Sequence, residues 1–159
     1  YFHKNLAKMS FRGIAKNDSH DVKDLEKIFG RKITGHAYPM GQFNQDVKNV
    51  LKDNGILYAR TVKSTHAFGL PKDWYEWNPT CHHGEAGTMD DIERFLRDDG
   101  AVLFFLWGHA FEFDRDDNWE LMEKIAGRLG GRDDIWYCTN GELYSWLARS
   151  RAASGIPAT

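Results

Sequence analysis

Cysteine is nearly absent from the chain, with two in 159 residues. Cys81 and Cys138 stand far apart and outside any CxxC pair, which excludes a disulfide framework and a zinc ribbon and reads as two free thiols rather than one bridge. The compartment stays open on this evidence. Long apolar runs are also missing. The longest, residues 101–107, is far too short to cross a bilayer and reads as a buried strand. Charge of one sign is lacking too. A formal net charge of -2 gives no ground for nucleic acid or an anionic membrane as a partner. No glycine-rich nucleotide fingerprint follows any apolar run, and no repeat of solenoid length occurs. The chain begins at Tyr1 with no initiator Met and no signal segment. Tyr1-Phe2-His3-Lys4-Asn5-Leu6 enters in the middle of folded-type sequence, so we expect a fragment of a longer domain.

What is present is an ordinary globular composition, 42% hydrophobic and 28% charged, with aromatics at 14% including six Trp. Such a chain can bury a full core as one domain, and an aromatic content this high suits carbohydrate-handling surfaces as well as large cores. Helical spacing puts Val22, Leu25, Ile28 and Phe29 on one face of a helix over 21–29, closed by Gly30. Residues 33–38 read as a strand that breaks at Pro39-Met40-Gly41. A second helix over 43–54 turns Val47, Val50 and Leu51 inward. Residues 56–62 form a strand, and 63–87 a long irregular stretch holding Trp74-Tyr75-Glu76-Trp77. Thr88 is the N-cap of a helix reaching about residue 99, with Asp90, Asp91 and Glu93 complementing its positive end. Strands over 102–107 and 135–138 alternate with helices over 118–129 and 141–150, and a frayed tail occupies 151–159. Helices alternating with strands predict parallel strands joined by crossover helices, in an open sheet or a barrel.

In such folds the reactive groups collect where strands end and loops begin. His36, Arg60, His82-His83 and Trp107-Gly108-His109 all stand at such ends, and with His3 they bring five histidines toward one rim. Histidine there serves as a neutral metal ligand or an acid–base group, although a lone strand-end histidine is more often a hydrogen-bonded structural residue. In extended backbone His82 and His83 point to opposite faces, so at most one of them is expected to face a site. A cluster of Cys81, His82, His83 and Cys138 has the spacing of no closed structural zinc site.

Four stretches carry a resemblance. Ala37-Tyr38-Pro39-Met40-Gly41, then Asn54-Gly55-Ile56-Leu57-Tyr58-Ala59-Arg60-Thr61-Val62, then Leu106-Trp107-Gly108-His109-Ala110-Phe111-Glu112-Phe113, and finally Asp134-Ile135-Trp136-Tyr137-Cys138-Thr139-Asn140-Gly141-Glu142 resemble a branch of the polysaccharide deacetylases, the NodB-homology domain of carbohydrate esterase family 4. The resemblance extends over roughly residues 3–147. It implies an α/β fold, a distorted (β/α) barrel of the NodB type lacking its first strands here, with residues 1–150 as a partial domain. It implies a hydrolase that removes N- or O-acetyl groups from a polysaccharide or amino-sugar oligomer through metal-activated water and a histidine general acid.

Residue by residue, the resemblance assigns His3 as one ligand of a divalent metal, zinc, whose other ligands and catalytic base are expected upstream of this chain. The 159 residues alone are then expected to be inactive. Ala37 stands where the family has an arginine that steadies the base, and Arg60 is a candidate replacement or a salt-bridged framework residue. Met40 contributes the backbone N–H that binds the oxyanion. His109 is the general acid, and Trp107, two residues earlier, lines the acetyl pocket. Tyr38, Arg60 and His82 complete the substrate-binding set. Trp74 and Trp77 either stack on sugar rings or pack beneath the loop. Two competing readings stay beside this one, a non-catalytic carbohydrate-binding or scaffold protein on the same fold, and an allied amide or ester hydrolase of small molecules.

Overall fold

The computed structural model describes residues 5–153 and divides into two compact units. One comprises the residues up to Ala59 together with those from Asp134 onward, the other Arg60–Asp133.

In the first unit, helix α1 (Phe11–Phe29) starts ten residues before the expected helix. Ser10 caps it, its side chain accepting from the Gly13 N–H at 3.3 Å, and Gly30 ends it in the left-handed conformation with φ 63. The early turns escaped the pattern because Lys16, Asn17, Asp18, Ser19 and His20 read as a polar break, whereas Ile14 and Asp18 are both buried. The expected apolar face is also corrected. Val22 and Leu25 are half-buried, but Ile28 and Phe29 are 72% and 59% exposed. Helix α2 (Gln45–Asp53) packs against α1 and, at nine residues, cannot cover all of a 19-residue partner. Asn44 caps α2 by accepting from the Val47 N–H at 3.0 Å, and Val47, Val50 and Leu51 are buried as their spacing predicts.

Strands β1 (Gly35–Ala37) and β2 (Tyr58–Arg60) pair in a two-stranded sheet. Gly35 is required there, since a Cβ would stand 2.4 Å from the Tyr58 ring. Beneath them Asp18 is 3% exposed. Its carboxylate accepts from the Asn54 side-chain amide at 2.8 Å and faces His36 Nδ1 at 3.6 Å. Burial pushes the Asp18 pKa up, the Asn54 bond opposes this, and the charge of Asp21 adds to the rise. Helix α6 (Asn140–Ala153) completes this unit, with Tyr144 against Tyr58 at 5.7 Å. Residues 135–138, expected as a strand, lie outside every ladder of the described residues. An apolar run becomes a strand only where a neighbouring strand offers hydrogen bonds.

The second unit is built on parallel pairing. Arg60 bridges in parallel to Trp77, and strand β3 (Cys81–His82) pairs in parallel with β4 (Leu106–Trp107), Cys81 opposite Leu106 and His82 opposite Trp107. Helix α3 (Thr88–Phe95) lies between β3 and β4 in the chain, giving the crossover that the sequence predicts. Thr88 is the first residue of α3 rather than its cap, and its hydroxyl donates to the His82 carbonyl at 2.8 Å. Thr80 is a second tie. Its N–H donates to the Phe105 carbonyl at 2.8 Å, while its hydroxyl accepts from the Phe105 N–H at 3.0 Å and donates to Ala67. Helices α4 (Ala110–Arg115) and α5 (Trp119–Leu129) follow β4, and α5 packs on both α3 and α4.

Two expectations change here. The strand over 102–107 shrinks to Leu106–Trp107, with Val102 68% exposed. The N–H groups of Val102 and Leu103 go to the Phe68 carbonyl of a loop instead of to a sheet ladder. The fold is mixed α/β with small sheets, and among the described residues the strands form two two-stranded sheets, not a closed barrel.

Asn54→Ala leaves the buried Asp18 carboxylate without its amide donor. We expect a loss of about 1–3 kcal/mol, the cost of an unsatisfied buried polar group, read as a lower midpoint in urea unfolding at unchanged m-value.

Candidate functional site

Strands β3 and β4 run parallel and end side by side, so the residues that follow them emerge at one edge of the sheet. After the last ladder pair, the His83 N–H still donates to the Trp107 carbonyl at 3.0 Å. The chain then turns at His83 and Gly84, closed by the Glu85 N–H to the His82 carbonyl at 3.1 Å. The His83 ring stacks on that of His82, with centroids 4.4 Å apart and planes at 29°, and on Phe113 at 4.2 Å. The expectation that only one of the two histidines faces the site is thereby corrected, because alternation holds only while the backbone stays extended. Gly108 makes the fit possible. A Cβ there would stand 1.8 Å from His83 Cδ2.

The rings converge on one carboxylate. Glu112 sits on α4 three residues after His109, and its Oε2 lies 2.9 Å from His83 Nε2 and 3.0 Å from His82 Nε2. The same oxygen accepts from the His109 backbone N–H at 3.1 Å and stands 3.5 Å from His109 Nδ1. Burial pushes the Glu112 carboxyl up. The His109 N–H, the His83 hydrogen bond and the neighbouring His82 and His109 outweigh that and hold it down to about 2. Glu112 is thus a fixed anion at any ordinary pH.

Hydrogen bonding also assigns the His82 proton. The Gly84 N–H donates to His82 Nδ1 at 3.0 Å, so the neutral ring carries its proton on Nε2 and gives it to Glu112. Burial lowers the His82 pKa, with Glu112 opposing and His83 adding to the fall, which favours this neutral form. His83 is 6% exposed, and its Nδ1 is buried without a hydrogen-bond partner. A neutral ring giving Nε2–H to Glu112 is the form that leaves no buried N–H unsatisfied.

Trp107 forms the wall of the site. His82 meets it edge-on at 4.6 Å and His109 at 5.7 Å, while the Arg60 guanidinium lies over it at 4.8 Å. Arg60 is half-buried, and burial lowers its pKa. Cys81, inside the sheet, is no ligand. Burial pushes its thiol up to about 11, against the Thr88 hydrogen bond, with Asp91 and Glu85 adding to the rise. Both cysteines are free.

His82, His109 and Glu112 bring one donor atom each within 4.8 Å of one another, and two imidazoles with a carboxylate are the donor types a zinc ion takes. The protonation pattern does not fit an ion. His82 Nε2 carries a proton because Nδ1 is engaged by Gly84, and Glu112 Oε2 already accepts from three N–H groups. As it stands, the group is a hydrogen-bonded proton network. His3, the metal ligand that the resemblance implies, lies outside the described residues.

Of the residues singled out in the sequence, His109, His82, Trp107 and Arg60 come together in the second unit. Trp77, in the same unit, is 1% exposed and packs against Phe105 and the edge of Trp74, each at 5.0 Å. Its ring has no open face for a sugar, while Trp74 is half-buried. In the first unit Tyr38 is likewise 2% exposed and stacks on Phe43 at 4.5 Å. Met40 adopts φ 55 and ψ 17 at a tight turn closed by the Gly41 N–H to the Tyr38 carbonyl. Glu112 was not foreseen. Its signal was the His109-x-x-Glu112 spacing at a strand-to-helix junction, which lets the third helical residue reach back to the cap N–H.

Two outcomes follow from this geometry. Zinc titration calorimetry should show no one-to-one site tighter than roughly micromolar, about 8 kcal/mol of binding. A tighter site that disappears in Glu112→Ala would make the group a metal centre. Because Glu112 titrates at about 2 against an ordinary 4.5, its stabilisation is present above about pH 4.5 and lost as pH falls through about 2. Glu112→Gln should therefore flatten the acid limb of the melting temperature against pH.

The family model described as polysaccharide deacetylase matches residues 1–59. No curated protein and no solved structure matches the chain. Residues 1–59, which include α1, α2, β1 and the turn at Met40, are thus similar to the polysaccharide deacetylases, over less than half of the chain.

Proposed function

We propose that this protein is a metal-dependent hydrolase that removes N- or O-acetyl groups from a polysaccharide or amino-sugar oligomer. Its parallel strands would form part of a distorted (β/α) barrel. The observation that carries the reading is the placement of His109 directly after β4, beside the fixed Glu112 anion, in a chain whose first 59 residues match a deacetylase family. In this reaction class a divalent metal, when bound, activates water and polarises the acyl carbonyl.

The chain's own residues supply the rest. His109 is 48% exposed at its side chain, so a substrate can reach the ring while β4 and α4 hold its backbone. It gives a proton to the departing amine or alcohol of the sugar. Glu112, 3.5 Å from Nδ1, forms an ion pair with the ring whenever that ring is protonated, and this fixes the orientation of the donor. His82 and His83 hold the Glu112 oxygen from the other side as neutral N–H donors. Trp107 closes the acetyl side of the pocket and excludes water. To Met40 in the first unit, with its left-handed backbone, the resemblance gives the oxyanion-binding N–H. Such a strained turn is the kind of feature that persists where function demands it.

In the full-length protein His109→Ala should cut turnover on an acetylated amino-sugar oligomer by about 10²–10⁴-fold, the usual worth of a general acid, with metal content and unfolding midpoint nearly unchanged. Loss of metal with the fold intact would make His109 a ligand instead. Activity that tracks folded fraction alone would leave it a structural residue. A wild-type protein that binds the oligomer without ever releasing acetate would favour a carbohydrate-binding scaffold.

A further inference from the structure

Ser64 and His66, on the loop that follows β2, meet two carboxylates that the proposed reaction does not use. His66 has left-handed backbone with φ 52, a region that histidine enters more readily than most side chains. Its ring stands between the two acids. Nδ1 lies 2.7 Å from Oδ2 of Asp91 on α3, and Nε2 lies 3.6 Å from Oε2 of Glu85 in the turn between β3 and α3. Asp91 is 3% exposed. Arg94 holds its other oxygen at 2.8 Å and also donates to the His66 carbonyl at 3.2 Å. Glu85 has a further hold on the site, since its Oε1 accepts from the Ser64 hydroxyl and from the His82 backbone N–H at 3.3 Å. The His66 ring is half exposed, so protons from solvent reach it.

We infer that His66 is a pH-sensitive latch between the loop after β2 and the turn that carries His82 and His83, closed in acid and released on its Glu85 side as pH rises. The latch acts whether or not the neighbouring site is a deacetylase. A protonated ring has one N–H for each carboxylate and joins them. A neutral ring has a single proton, and the shorter contact, to buried Asp91, keeps it on Nδ1. Nε2 then turns a lone pair toward the Glu85 oxygen, and two acceptors 3.6 Å apart repel each other. Asp91 is therefore the fixed end of the latch and Glu85 the end that lets go. Its release loosens the bond to the His82 N–H, beside the proton network. The charged groups that act on the ring among the described residues are Asp91, Glu85 and Arg94. The Asp91 hydrogen bond raises the His66 pKa above its ordinary 6.5, desolvation and Arg94 oppose this, and the charges of Asp91 and Glu85 add to the rise. The contribution of the latch is thus fully present below about pH 6.5 and lost as pH rises through the higher folded-state value.

Histidine ring and backbone amide signals, followed by ¹H–¹⁵N spectroscopy across the range where histidine titrates, read the latch in the intact protein. The His66 ring should titrate above 6.5, and the His82 backbone amide should shift with the same midpoint. That step is distinct from titration of the His82 ring, whose pKa burial lowers. Glu85→Gln should move the His66 midpoint down and remove the step from the His82 amide, while Asp91 still holds Nδ1. His66→Asn removes the titrating ring and keeps a residue that tolerates left-handed backbone. The wild-type melting temperature should fall as pH rises above about 6.5, and His66→Asn should lack that fall. A His66 midpoint at or below 6.5, a His82 amide that does not follow it, or the same fall in melting temperature in His66→Asn overturns the inference. Should Glu85→Gln fail to fold, the wild-type midpoint and the His82 amide decide the matter between them.

Discussion

The second unit depends on one oxygen atom. Glu112 Oε2 gathers two imidazole N–H groups and a backbone N–H, and so ties the ends of β3 and β4 to the first turn of α4. A carboxylate in a partly desolvated place costs free energy unless it is well bonded, and three donors at 2.9–3.1 Å meet that cost. The neighbouring choices follow from it. Gly108 is needed because any side chain would enter the His83 ring. Phe113 is buried because it supports the other face of that ring. Thr88 bonds the His82 carbonyl and so holds the strand end in place from the side of α3.

The same arrangement gives the histidines different tasks. His82 and His83 are inner residues whose protons are committed to Glu112. His109 sits at the outer edge with its ring accessible. Burial, rather than residue type, draws this division. Exposure of the three side chains rises from 8% for His83 through 20% for His82 to 48% for His109.

The first unit solves a separate problem with similar means. Asp18 lies on the buried stripe of α1, where a carboxylate is costly, and Asn54 at the end of α2 satisfies it. This polar tie joins the two helices at a defined register, beside the apolar contacts of Ile14, Val47 and Leu51. A second carboxylate, Asp18, thus has a structural role in the chain.

Local sequence sufficed for features that neighbouring residues alone decide. The α2 helix, its inward Val47, Val50 and Leu51, the strands near 35–37 and 58–60, the break at Pro39-Met40-Gly41 and the crossover helix after residue 88 were all legible, because spacing and stop residues act within a few positions. The histidines at strand ends were legible for the same reason. Partners distant in the chain decided the rest. Residues 102–105 looked like the firmest strand, yet a strand exists only where another lies beside it, and Phe68 of a loop takes the N–H groups of Val102 and Leu103. Tyr38, placed in the substrate-binding set by resemblance, and Trp77, open to either sugar stacking or packing, are both buried. Glu112 looked like an ordinary helical acid, and only the parallel ending of β3 and β4 brought His82 and His83 within 3 Å of it. Composition and periodicity set which segments could become helix or strand; three-dimensional packing chose which polar atoms would meet, since that depends on distances no local pattern encodes.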